Sequence, residues 1–90
     1  MDFTAQHCAP CVQLGRVLDA VARDYAGRLA VVAVDVDVEP ELAQQFDVRA
    51  TPTVVVWRDG RAIGRIIGAR PQRYVVDVVE RALAGATALG

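Results

Sequence analysis

Cys8 and Cys11 are the only cysteines in the 90-residue chain, and two residues separate them. Thiols at that spacing serve one of two chemistries. They trade electrons as a dithiol–disulfide pair, or they supply half of a metal site. Zinc asks for four ligands, and beyond His7 the chain has no second cysteine pair and no further histidine. The redox reading therefore leads. Apolar residues follow at Cys11, Leu14, Leu18, Val21 and Tyr25. Steps of three, four, three and four mark one buried helix face, so the pair sits where a helix begins. A helix start offers unpaired backbone N–H groups and the positive end of the dipole, and both favour a thiolate. A free cysteine titrates near ~8.5; one in this setting falls to ~3.5–7.5.

Something must hold that helix start in place. Ninety residues make one domain. A chain this size buries roughly 60–65% of its unfolded surface. An apolar share of 53% with 23% charged residues fits a packed chain. All ten basic residues are arginine, and the net charge is −1. No basic block marks a nucleic-acid footprint. No apolar run reaches the eighteen residues a membrane helix needs, and no signal peptide is visible. With both cysteines in one C-x-x-C pair, the expected compartment is the reducing cytoplasm.

The elements read as β-α-β-α-β-β-α. Met1 to Thr4 has room only for a very short strand. Ala9 to Ala26 is helical, stopped by Gly27. Leu29 to Val36 is almost unbroken apolar, as in a strand covered on both faces. Glu39-Pro40-Glu41 opens a second helix, with Leu42, Ala43 and Phe46 turned inward. Thr53 to Trp57 is another continuous apolar strand. Asp59-Gly60 signals a tight hairpin into Arg61 to Ile67, an edge strand. Pro71 starts a last helix whose apolar positions are Val75, Val78, Val79 and Ala82. Two β-α-β units predict parallel strands, and the hairpin adds an antiparallel edge.

Three separated motifs resemble the thioredoxin family. The first is Asp2-Phe3, then Ala5 and Cys8-Ala9-Pro10-Cys11. The second is Ala50-Thr51-Pro52-Thr53. The third is Arg58-Asp59-Gly60, followed by Gly68-Ala69. The resemblance covers most of residues 2–84 and implies an α/β, three-layer fold: a mixed four-stranded sheet with helices on both faces. Residues 1–84 would form the domain, lacking the family's usual first strand and helix, and residues 85–90 a short tail. An upstream start, a minimal glutaredoxin-like version and a partner chain that completes the sheet all remain open as explanations.

The resemblance also implies roles. Cys8 would attack and Cys11, more buried, would resolve. Pro52 would carry a cis bond facing the cysteines. Thr51, Pro52, Ala9, Pro10 and Gly68 would line the substrate site, and the Thr51 backbone would pair with an extended substrate. Asp2 would take the proton from Cys11, although an exposed terminal residue is an equal alternative. The implied activity is reduction of protein disulfides with no cofactor beyond the Cys8–Cys11 disulfide, restored by a thioredoxin-reductase-like donor. A monomer is expected, with dimerisation through the exposed sheet as the alternative. Several residues depart from the family pattern: His7 replaces a tryptophan, Ala9 a glycine, Arg16 a proline and Thr51 an isoleucine. These keep open an oxidase, an isomerase, a glutaredoxin-like transferase or a non-catalytic binding module. Trp57 and Phe46 read as core, and Arg70, Arg73 and Arg81 as helix surface.

Overall fold

A strand of only three residues lies at the centre of the sheet. The computed structural model describes residues 1–89. In chain order the elements are β1 (Asp2–Thr4), α1 (Ala9–Asp24), β2 (Ala33–Asp35), α2 (Pro40–Gln45), β3 (Thr53–Arg58), β4 (Arg61–Ile67) and α3 (Gln72–Leu89). The sheet order is β2-β1-β3-β4. β1 therefore has a partner on each side: β2 parallel, with Phe3 opposite Val34, and β3 antiparallel, with Phe3 opposite Thr53.

Side-chain alternation divides the apolar residues into two cores. On one face Leu14, Leu18, Val21 and Tyr25 of α1 and its cap meet Val54, Ile66, Val75 and Val79. On the other face Phe3, Val34 and Val55 meet Ala43 of α2, with Leu42 and Phe46 packed against them. Adjacent residues Val54 and Val55 thus serve opposite layers, as period two requires. Full burial of Leu14 alone contributes about 1.5–3 kcal/mol.

Local chemistry ends each element where it ends. Pro10 occupies the first turn of α1, where its missing N–H leaves nothing unpaired. Gly27, at φ 83°, turns the chain after the helix. Asp59 and Gly60 both have positive φ, 54° and 79°, which matches the twist of a two-residue hairpin. Pro71 offers its carbonyl to the N–H groups of Tyr74 and Val75 at the start of α3.

Four expectations change. β3 is antiparallel to β1, so the second β-α-β unit is not a parallel crossover. Thr53 enters level with Phe3 and Val34, at the end of the sheet where β2 leaves. A six-residue α2, roughly 9 Å long, covers one face and returns the chain to that same end. The second strand shrinks from 29–36 to Ala33–Asp35, because three residues of β1 can pair with only three. Trp57 is not core: it is 48% exposed, beyond the reach of β1. Residues 85–89 continue α3 instead of forming a tail, since alanine-rich sequence propagates a helix well; Gly90 lies outside the described residues.

Candidate active site

Cys8 is the N-cap of α1, with extended backbone at φ −117° and ψ 98°. That conformation aims its side chain back over the first turn, so the Cys11 N–H donates to Cys8 Sγ at 3.3 Å. The two cysteines form a disulfide, with Cα atoms 5.2 Å apart. One helical turn brings them within the usual bridging range. Cys8 is half-buried, whereas Cys11 is buried on the inner face of α1. Ala9 and Pro10 are exposed between them.

The loop before β3 meets this tip. The Thr51 hydroxyl lies 3.9 Å from Cys8 Sγ, and with the sulfur in a disulfide the hydroxyl is the donor. The Thr51–Pro52 bond is cis. Gly68, at φ 86°, donates its N–H to the Pro52 carbonyl at 2.9 Å. The structure therefore gathers Cys8, Cys11, Thr51, Pro52 and Gly68 from three distant parts of the sequence. The loop has its own supports. Thr53 Oγ1 donates to the Ala50 carbonyl at 2.6 Å, and Arg65 reaches from β4 to the carbonyls of Phe46 and Asp47.

Asp2 is set apart. It is buried in β1, between β2 and β3, and hydrogen-bonds to neither cysteine. Its Oδ1 has no hydrogen-bond partner. Burial raises its pKa; the Met1 ammonium opposes that rise and Asp19 adds to it. A terminal carboxylate stays buried here because β1 occupies the middle of the sheet instead of an edge. His7 is exposed, with its backbone in the left-handed region at φ 55°.

Sequence reasoning assigned Thr51 a role for its backbone and overlooked its hydroxyl. A threonine one residue before the proline was the available signal. Arg65 was read only as the mark of an edge strand; nothing in the sequence joins it to Phe46. Among the described residues, no group of three or more His, Cys, Asp and Glu stands together to hold a metal ion. No described helix is long and apolar enough to cross a membrane.

This geometry has counterparts. The family model described as thioredoxin matches residues 1–81. A thioredoxin of Staphylococcus saprophyticus is 35% identical over 83 residues, covering 92% of this chain and 80% of the relative. The germline-specific thioredoxin Deadhead of Drosophila melanogaster superposes with a TM-score of 0.81 at 30% identity, covering 89% of this chain and 75% of that one. Chloroplastic thioredoxin z superposes with a TM-score of 0.79 at 34% identity, covering 92% and 75%. With its C-x-x-C disulfide as the redox group and no other cofactor, the chain belongs to the thioredoxin family of thiol–disulfide oxidoreductases, which reduce protein disulfides.

Proposed function

We propose that Cys8 is the attacking residue and Cys11 the resolving one. The observation that carries this is the single N–H of Cys11 aimed at Cys8 Sγ on a half-buried helix tip. In the dithiol state the Cys8 thiolate attacks one sulfur of a substrate disulfide. A Cys8–substrate S–S bond forms, and the substrate's other sulfur leaves as a thiolate. Cys11 gives its proton to the Asp2 carboxylate, directly or through water, and attacks Cys8 Sγ. The mixed bond breaks, the second substrate thiolate leaves, and Cys8–Cys11 is oxidised. Two electrons have passed to the substrate. A reductase of the thioredoxin-reductase kind returns them.

Thr51, Pro52, Ala9, Pro10 and Gly68 form the substrate rim. An extended substrate lies along the Thr51 backbone, its disulfide over Cys8. The positive φ of Gly68 and the absence of a side chain there leave that edge open. The protein works in the cytoplasm as a monomer. Reduction of insulin by dithiothreitol, followed by turbidity, tests the activity. A protein that leaves the uncatalysed rate unchanged overturns the proposal.

One observation favours a second reading of direction. The Thr51 hydroxyl, added to the Cys11 N–H, stabilises a Cys8 thiolate and with it the reduced form. A stabilised reduced form makes a stronger oxidant. A redox titration decides. A potential near ~−270 mV marks a reductant, and one well above about −200 mV marks an oxidase or isomerase.

A further inference from the structure

Arg70 stands two residues beyond Gly68, exposed, where β4 gives way to α3. Its Nε donates to the Ile67 carbonyl at 3.2 Å, and its guanidinium carbon lies 4.9 Å from the centre of the Tyr74 ring. The carbonyl occupies the inner nitrogen of the fork, and the ring covers one of its faces. The two terminal nitrogens are left over. Among the described residues they have neither a hydrogen bond nor an ion pair. A mobile arginine loses rotamer freedom when it grips a ligand; this one is already held by two contacts before a partner arrives.

The charged groups around it are engaged or distant. Arg49, two residues before Thr51, pairs with Asp47 at 3.0 Å, and Arg65 is taken up by the carbonyls of Phe46 and Asp47. Asp77 on α3 pairs with Arg81. The acids Asp35 and Asp37 stand at the end of β2, with Asp35 opposite Thr4. In the order β2-β1-β3-β4 that is three strand spacings from β4, roughly 14 Å. The segments carrying Cys8 and Thr51 adjoin β1 and β3, between the two. The site is therefore acidic on the β2 side, and on the β4 side it presents a fork with two free terminal nitrogens.

We propose that Arg70 is a specificity-determining residue, which grips an Asp or Glu side chain two residues from the reactive cysteine of a substrate polypeptide. This rests on the reading of Thr51, Pro52 and Gly68 as the rim along which an extended substrate lies. Side chains alternate along an extended chain, so the residues two places from the cysteine face the protein together with its sulfur. They stand about 7 Å from it along the strand. Two residues likewise carry this chain at most ~7 Å from Gly68 to Arg70. The planar fork then offers two parallel N–H groups to the two oxygens of a carboxylate, a match that the point charge of a lysine lacks.

The probes are disulfide-linked dimers of acetyl-Glu-Ala-Cys-Ala-Glu-amide and of the same peptide with Gln for both Glu. Reduced protein, freed of dithiothreitol, is mixed with excess dimer, and the released peptide thiol is followed by chromatography. The ratio of the Glu to the Gln rate constant is about fivefold higher for the unaltered protein than for Arg70→Gln, and the difference narrows as salt is added. Arg70→Lys keeps only part of the preference. Tyr74→Phe keeps it, because the ring remains, and Tyr74→Ala lowers it. Arg73→Gln, three residues on, keeps it too. The same ratio for Arg70→Gln as for the unaltered protein overturns the proposal. An equal loss in Arg73→Gln also overturns it, since net charge and not the fork would then be responsible. Faster Arg70-dependent reduction of oxidised glutathione than of the Glu dimer would assign the fork to a small thiol's carboxylate and overturn the polypeptide assignment. A reduced protein that reacts with neither dimer would sink the substrate rim itself, and this inference with it.

Discussion

At the scale of single residues, the site divides into groups that react and groups that bias them. Cys8→Ala removes the attacking sulfur and abolishes insulin reduction. Cys11→Ala leaves attack intact but nothing to resolve it, so a mixed disulfide accumulates, visible as added mass that dithiothreitol removes. Normal turnover by Cys11→Ala would contradict the assignment. Thr51 acts by bias. Thr51→Val keeps the shape of the side chain and removes the donor 3.9 Å from Cys8 Sγ. The reduced form loses about 0.5–1.5 kcal/mol of support, so the potential falls by about 10–30 mV in a glutathione titration. An unchanged or higher potential would remove the hydroxyl from the account. Asp2 is biased by its own burial. Its pKa is raised by desolvation, so the native state keeps that proton to higher pH than the unfolded chain does. Stability therefore falls as pH rises from the unfolded value near ~3.9 through the native one, and the penalty is complete above it. Asp2→Asn removes a buried charge with an unpaired oxygen and stabilises the protein at pH 7 by about 1–3 kcal/mol. That gain vanishes below pH ~3.9, where both states are protonated. Urea midpoints at the two pH values check this, and an equal gain at both would sink it.

At the scale of elements, those with strong local signals were the most legible. The Asp59-Gly60 pair announced the hairpin, and both residues take the positive φ that the turn demands. Gly60→Ala adds no contact, since nothing lies within 4 Å of the new Cβ. Its cost is therefore backbone alone, about 1–2 kcal/mol, read as a lower urea midpoint with unaltered insulin reduction. A neutral outcome would show that the turn relaxes. The helix faces were equally plain: Leu14, Leu18 and Val21 are all buried, as their spacing requires. Less legible was how far the 29–36 run would behave as a strand. Seven apolar residues in a run of eight describe a covered strand, but how many of the run pair depends on β1, and β1 has three residues to give. The direction of β3 was likewise hidden. No local feature of Thr53–Arg58 records which end of the sheet it enters; that follows from how far α2 carries the chain.

At the scale of the whole molecule, the site is where three sequence-distant segments converge, and only their types were readable in advance. Cys8-Ala9-Pro10-Cys11, Thr51-Pro52 and Gly68 could each be picked out as motifs. Their approach is a product of packing. α1 is fixed by its buried face, and β3 and β4 fix the Thr51–Pro52 loop beside Cys8 and Gly68 against Pro52. Trp57 and Val32 show the other side of the same dependence. Both read as interior residues, and both are exposed because they lie beyond the three residues that β1 pairs. Positioning of the site should then follow the core that joins α1, the sheet and α3, even at a residue with no catalytic part. Leu14 is fully buried in that core, one turn beyond Cys11 on the same helix face. Leu14→Ala leaves a cavity and costs about 2–5 kcal/mol, a large share of the roughly 5–13 kcal/mol expected for a chain of this length. The loss should appear as a single transition with a lower midpoint, since both cores share β3. At temperatures where the variant remains folded, insulin reduction persists, because both sulfurs and the Thr51–Pro52 loop are intact. Two separate unfolding transitions would mean that the two faces of the sheet hold independently, and that the helix start does not take its position from the molecule as a whole.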